Sequence, residues 1–238
     1  NTQTNMGNAT WTVSGDFDNQ DVTTFNRNTS TLVMNGGTEA SPATLTASFS
    51  TTANRLQNVT ISGYVTGDNH AYISGVLTVT GTLNISTGRR FYVLYGGSDC
   101  KVTSTGKITG AGVLSIDSYG SMTQMDGVID VATLWIVSYK YADAIVPATY
   151  DSATALVYNR DASNDRSWVP SAGTYTFTGD VSFNATSSKT YTIDNSVNNP
   201  NFVFGGNVTF TSGTAETVWQ KGTGTITFAG STTTTLTD

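Results

Sequence analysis

Short runs of strict alternation recur along this chain, an apolar side chain followed by a hydroxyl, with glycine closing the run. Thr10-Trp11-Thr12-Val13-Ser14-Gly15 sets Trp11 and Val13 on one face and the hydroxyls on the other. The scheme returns at Val59-Thr60-Ile61-Ser62-Gly63, Ala71-Tyr72-Ile73-Ser74-Gly75, Leu77-Thr78-Val79-Thr80-Gly81, Leu83-Asn84-Ile85-Ser86-Thr87-Gly88 and Lys101-Val102-Thr103-Ser104-Thr105-Gly106. A period of two with β-branched and aromatic residues predicts half-buried strands of about five residues, each ended where glycine permits a turn.

Two topologies suit such strands: antiparallel meanders with tight hairpins, or the coils of a parallel solenoid. Two-residue hairpins favour Asn-Gly or Asp-Gly, and the chain offers only Asn35-Gly36 and Asp126-Gly127 of that kind. Between Leu77 and Val131 it runs instead through Val-Thr-Gly, Ile-Ser-Thr-Gly, Ser-Thr-Gly, Ile-Thr-Gly-Ala-Gly-Val-Leu-Ser-Ile and Met-Asp-Gly-Val-Ile-Asp-Val. In this it resembles the right-handed parallel β-helix (β-solenoid) repeats of extracellular surface and passenger-type adhesin proteins. The resemblance implies an all-β solenoid and carries over no functional residue. A tandem β-sandwich is the alternative. Coils of about 25 residues would give about nine coils and, at about 4.8 Å per stacked strand, a rod on the order of 45 Å long. Val59, Ile61, Ile73, Val79, Leu83, Ile85, Leu114 and Ile116 would line its core, with Thr and Ser facing outward.

The clearest internal repeat lies late in the chain. Phe177-Thr178-Gly179-Asp180-Val181-Ser182, Phe204-Gly205-Gly206-Asn207-Val208-Thr209 and Phe228-Ala229-Gly230-Ser231-Thr232-Thr233 are offset by 27 and then 24 residues, a solenoid-sized period. Only ten residues follow Phe228, fewer than either offset, so the sequence reads as a piece of something longer. One stretch breaks the pattern. Glycine is missing between Gly127 and Gly173, and the residues from Ser138 to Ala172 bring Tyr139, Tyr141, Tyr150, Tyr158 and Trp168 beside Arg160, Asp161 and Arg166. This reads as an irregular, aromatic-rich insertion or cap at about 138–172 on a single domain spanning 1–238; a joint between two β segments is the competing reading.

Composition narrows the function classes. Thr and Ser fill 68 of the 238 positions and only two glutamates occur, Glu39 and Glu216, which disfavours a substantial exposed helix. A formal net charge of −6 with eleven scattered basic residues excludes a nucleic-acid footprint. The sole adjacent basic pair, Arg89-Arg90, reads as a solvated turn. No apolar run approaches the roughly 20 residues that cross a bilayer, the best being Val131 to Val137, so no membrane insertion is expected. Cys100 is the only cysteine, which rules out an internal disulfide framework, and it reads as a small core residue.

Candidate chemistry is sparse. A Ser-His-Asp triad needs an oriented histidine, and the one histidine, His70, sits in the turn tetrad Gly67-Asp68-Asn69-His70. Asp117, Asp126 and Asp130 fall close enough to suggest paired carboxylates acting on polysaccharide, though Asp beside Gly is also ordinary corner chemistry. Weak calcium candidates are Asp16, Asp18 and Asp21, with Asn19 between them, and a second acidic turn holds Asp161, Asn164 and Asp165; neither matches a calcium-loop pattern. Tyr139, Tyr141, Tyr150, Tyr158 and Trp168 form a weak carbohydrate-binding set, since exposed rings stack on sugars. The six Asn-x-Ser/Thr sites permit glycosylation, and the number is near that expected by chance in so hydroxyl-rich a chain. Threonine pairs such as Thr78-Val79-Thr80 and Thr174-Tyr175-Thr176 raise an ice-binding alternative but share no single period.

These features point to a non-catalytic structural or adhesive module of a larger extracellular, cell-surface protein or filament, without metal or cofactor. Its expected partners are itself or neighbouring repeats through the solenoid ends, and surface glycans. A polysaccharide-binding or polysaccharide-degrading β-helix protein, whether lyase or hydrolase, is the alternative from another class.

Overall fold

The computed structural model describes residues 3–19, 22, 24–26, 28–47, 55–68, 71–94, 98–117, 120–138, 145–159, 164–185, 188–212, 216–230 and 236–237. Every strand pair among them is parallel. Each strand bonds to the strands one coil before and one coil after it, and the chain winds as a right-handed β-solenoid. Parallel pairing throughout rules out the tandem β-sandwich, which is built from antiparallel sheets.

A coil has three faces. The first begins as Thr10–Val13, Thr31–Met34, Asn58–Ile61, Val76–Val79, Asp99–Val102 and Ser121–Met125, and resumes as Arg166–Trp168, Tyr191–Asp194 and Thr217–Gln220. The second runs through Phe17–Asp18, Ala43–Thr46, Tyr64–Gly67 and Thr82–Ile85, then Thr149–Tyr150, Thr174–Phe177, Asn201–Phe204 and Ile226–Phe228. The third carries Ala71–Ile73, Arg90–Leu94, Thr154–Asn159, Asp180–Ala185, Val208–Ser212 and Leu236–Thr237. Two eleven-residue strands, Lys107–Asp117 and Val128–Ser138, cover the second and third faces without a break. Lys107–Asp117 turns the corner through a register shift between Gly110 and Val113. Gly110 has φ +110°, and a Cβ there would stand 2.4 Å from Asn84 Oδ1, so no larger residue fits the bulge. The longest ladder path, from Phe17–Asp18 to Leu236–Thr237, passes through ten strands, so nine coil-to-coil steps separate its ends.

Three of the glycines that close the alternating runs, Gly63, Gly81 and Gly106, share one cause. Gly36, Gly63, Gly81, Gly106 and Gly127 stack at the corner between the first and second faces. A Cβ on Gly63 would lie 1.9 Å from Gly36 O, one on Gly81 2.3 Å from Gly63 O, and one on Gly127 2.2 Å from Gly106 O. Those carbonyls are engaged: Gly36, Gly63, Gly81 and Gly106 accept the N–H of Tyr64, Thr82, Lys107 and Val128 at 2.8–3.0 Å. Backbone stacks directly on backbone here, and only glycine allows the approach.

All eight residues expected to line the core, Val59 through Ile116, are fully buried. The phenylalanine repeat is one phase of the coil, since Phe177 pairs with Phe204 and Phe204 with Phe228. The expected insertion at about 138–172 contains three laddered strands. Thr149–Tyr150 pairs with Thr174–Phe177, Thr154–Asn159 lies between Val128–Ser138 and Asp180–Ala185, and Arg166–Trp168 pairs with Tyr191–Asp194. These strands belong to the coils, and the same ladders remove the reading of a joint between two segments. Two of its aromatic rings, Tyr150 and Trp168, enter the core in place of aliphatic side chains. The remaining stretches, 139–144 and 160–163, lie outside the described residues.

Candidate functional site

Seven Asp and Asn residues, among them Asp16 and Asp165 of the sequence-derived candidates, sit at or beside corners, where an outward backbone N–H lacks a strand partner. There the side chain reaches one coil ahead. Asp16 Oδ1 accepts the Thr44 N–H at 2.7 Å, Asn58 Oδ1 that of Val76 at 3.0 Å, and Asp165 Oδ1 that of Thr190 at 2.9 Å. Asp180 Oδ1 takes Asn207 N–H at 2.8 Å and Asn199 Oδ1 takes Thr223 N–H at 2.7 Å. Asp99 accepts both the N–H and the hydroxyl of Thr123, at 3.0 and 2.6 Å, and Asn201 Oδ1 does the same for Thr225, at 2.8 and 2.9 Å. These partners lie 18 to 28 residues apart, one coil each.

The weak calcium set is thereby placed in part. Asp16 is committed to Thr44 and lines a shallow polar groove with Ser14, Thr38 and Ser41; Asp18 is exposed on its strand; Asp21 lies outside the described residues. Of the three carboxylates weighed for catalysis, Asp126 accepts from Gln124 Nε2 at 2.5 Å and Asp130 is exposed on the outer second face, opposite Thr109; Asp117 is described only in its backbone. Among the described residues no three His, Cys, Asp or Glu side chains come together as a metal cluster. His70 and Asp161 lie outside them.

Two members of the carbohydrate-binding set are core residues, which corrects their reading as exposed rings. Tyr150 is fully buried, stacks on Phe177 with centroids 5.4 Å apart and donates its hydroxyl to Val146 O at 2.6 Å. Burial, with smaller contributions from Tyr175 and Cys100, pushes its hydroxyl well above the ordinary tyrosine value of 10.0. Trp168 is buried edge-on to Tyr175 at 5.6 Å and Phe202 at 6.0 Å. Neither presents a face to a sugar. Tyr139 and Tyr141 lie outside the described residues, and Tyr158 is placed on the third face by its backbone alone. Cys100 is buried as expected, its thiol pushed up by desolvation and then by the charge of Asp99, which leaves it unreactive.

One outward feature escaped the sequence reading. On the third face Tyr72 and Tyr92 stack at 4.4 Å with planes 1° apart. The next outward position in the register is Ser115 and the one after it Trp135. Serine leaves a gap, and Arg90 fills it: its guanidinium lies 3.4 Å from the Trp135 ring centroid and 5.2 Å from that of Tyr92, and donates to Tyr92 Oη at 3.1 Å. Arg55 lies 5.7 Å over Tyr72 at the other end. Arg90 is thus half-buried in a stack rather than a solvated tip. The ring faces cover one another, which suits a bracing ladder better than a sugar platform. The signal was the spacing of 20 residues from Tyr72 to Tyr92 and again from Ser115 to Trp135, legible only once the local coil length is known.

An apolar opening lies at the end of the core. Phe204, Val208, Phe210, Trp219, Ile226 and Phe228 line it, with Ile226 42 % and Phe228 48 % exposed. At the opposite end Trp11 occupies an inward register position opposite Leu32 yet is 39 % exposed. No helix among the described residues is long and apolar enough to cross a membrane. Compared with models of known protein families, with curated proteins and with solved structures, the chain matches none.

Proposed function

We propose that this chain is a non-catalytic structural and adhesive rod, a module of a larger extracellular or cell-surface protein or filament. The observation that carries the reading is how its polar side chains are spent. Seven corner Asp and Asn residues bond forward to the next coil, so groups that could have converged on a substrate hold successive coils in register instead. Each such bond contributes about 0.5–1.5 kcal/mol, and together they resist both slippage and extension. The Arg90 stack on the third face acts in the same direction across three coils.

Incubation of the purified chain with a panel of acidic and neutral polysaccharides tests this reading. New reducing ends and unsaturated products are expected to stay at the level of the blank, while solution scattering gives a rod with nine steps of about 4.8 Å. Release of oligosaccharides would replace it with the polysaccharide-degrading alternative.

A further inference from the structure

We infer that the first face, from Thr10–Val13 to Val76–Val79, is a binding surface for ice; the inference rests on the adhesive reading above and names the surface it meets. Through Thr31–Met34 and Asn58–Ile61 the parallel register of these four strands runs without a shift. Outward side chains therefore line up in two columns, Thr10, Thr31, Asn58 and Val76 in one and Thr12, Val33, Thr60 and Thr78 in the other. All eight are at least partly exposed and none is charged. Along the sequence these residues share no period, because the coils that separate them are 21, 27 and 18 residues long. Those differences fall outside the first-face strands, so the ladder restores a lattice that the spacing conceals. The array stops at the next coil, where Asp99 and Lys101 bring a charged pair onto the face and the pairing with Ser121–Met125 slips between Cys100 and Lys101.

The spacing and chemistry of that lattice suit ordered water. Alternate residues stand about 6.6 Å apart along a strand and successive coils about 4.8 Å apart, a rectangular net close to the repeat of oxygen atoms on a prism face of hexagonal ice. Thr and Val are stiff at χ1, so the net is set before anything binds and little side-chain entropy is lost on contact. Threonine places a hydroxyl for a lattice water beside a methyl group that sheds unordered water. A strongly hydrated ammonium would break such a layer, and the array holds none. Its hydroxyls are also available. Among the described residues those of Thr10, Thr12, Thr31, Thr60 and Thr78 bond to no protein group, whereas at the adjoining corner Thr80 and Thr103 donate theirs to Ile61 O and Val79 O, each at 3.3 Å. On the second face the column of Thr174 continues through Asn201 to Thr225, whose hydroxyl is spent on Asn201 Oδ1 at 2.9 Å.

Slow growth of polycrystalline ice in a solution of the purified chain, with its partition between ice and liquid measured beside thermal hysteresis, tests this. The parent is expected to concentrate in the ice and to hold crystals without growth below the melting point. Thr60→Lys and Thr78→Lys, each inside the array, are expected to abolish both signals. Thr60→Val keeps the methyl groups and the stiff χ1, as Val33 and Val76 already do, and is expected to retain uptake. Thr176→Lys sets the same charge on the second face and is expected to leave both signals at the parent level. Circular dichroism matching the parent shows that each variant folds. Exclusion of the parent from ice to the level of an inert protein, uptake by the Thr60→Lys variant, or loss on Thr176→Lys would each overturn the inference. A dimer in sedimentation that Thr60→Lys dissociates, without uptake into ice, would give the face to a second copy and overturn it equally. None of these results touches the polysaccharide test of the rod, and release of oligosaccharides there would strike the rod reading whatever happens in ice.

Discussion

The middle and the C-terminal coils share one architecture and fill it differently. From Asn58 to Ile136 the register advances by 18 to 25 residues per coil, and the column is almost wholly aliphatic, with Val59, Ile61, Leu77, Val79, Leu83 and Ile85 fully buried. From Thr149 to Leu236 it advances by 24 to 28, and rings take over. Phe177 stacks on Phe204 at 6.1 Å, Tyr175 on Phe202 at 5.3 Å and Phe183 on Phe210 at 5.2 Å, all within 17° of parallel. A longer coil encloses a wider column, and a wider column needs larger side chains to stay free of voids. Ring stacks bring about 0.5–1.5 kcal/mol per pair beyond area. They also bring polar tips that must be satisfied. Tyr150 and Tyr175 find Val146 O and Ile145 O, whereas the indole N–H groups of Trp168 and Trp219 are buried without a partner. The aliphatic column avoids that cost.

The comparison breaks most sharply at Phe204, which touches Phe177, Phe183, Phe202 and Phe228. Phe204→Ala is expected to destabilise the C-terminal coils by about 3–5 kcal/mol, measured by urea titration. Hydrogen exchange should show the loss confined to coils near the substitution, since each coil contacts only its neighbours; uniform loss of protection from Asn58 onward would mean that the two columns unfold as one. In the aliphatic coils the sensitive element is the backbone corner. Gly81→Ala is expected to cost about 1–3 kcal/mol despite adding only one methyl group, because that methyl meets Gly63 O at 2.3 Å.

Alkali should act on a buried group in each half, the Cys100 thiol in the aliphatic coils and the Tyr150 hydroxyl in the aromatic ones. Tyr150 ionises less readily in the folded chain than in the unfolded one. The unfolded state therefore binds fewer protons above pH 10, and stability present below that value is lost as pH rises through the raised folded value, by up to about 1.4 kcal/mol per pH unit. Tyr150→Phe is expected to flatten this slope in a series of urea midpoints from pH 9 upward; an unchanged slope would show that another group carries it. The smallest effect is expected at a corner: Asn201→Ala removes two bonds to Thr225 and should lower the midpoint by about 1–2 kcal/mol.

Alternation and closing glycines were enough to reach the solenoid, because each is a local consequence of a strand that buries one side and turns against backbone. Phe177, Phe204 and Phe228 announced the coil period because the 27- and 24-residue coils keep the same corner beside the same ring. Tyr150 and Trp168 were misplaced for the converse reason. Aromatics flanked by Arg, Asp and Pro resemble a surface loop until the coil is known to be wide enough to take them inside. The corner acids looked like potential ligands because sequence shows their spacing along the chain, whereas their partners lie one coil ahead. The Arg90 stack stayed hidden for a related cause, since it depends on what stands at Ser115 and Trp135 in two later coils.

That borrowed position has a consequence for how the rod can change. Arg90 belongs to one coil, occupies the vacancy of the next and rests on the ring of the third, so these three coils are inherited as a set. Replacing Ser115 by an aromatic residue would evict the guanidinium, and deleting the Ser115 coil would bring Tyr92 directly onto Trp135 with Arg90 left over. Elsewhere a whole coil can be added or removed with little penalty beyond its own contacts; between Arg90 and Trp135 the length of the rod is locked.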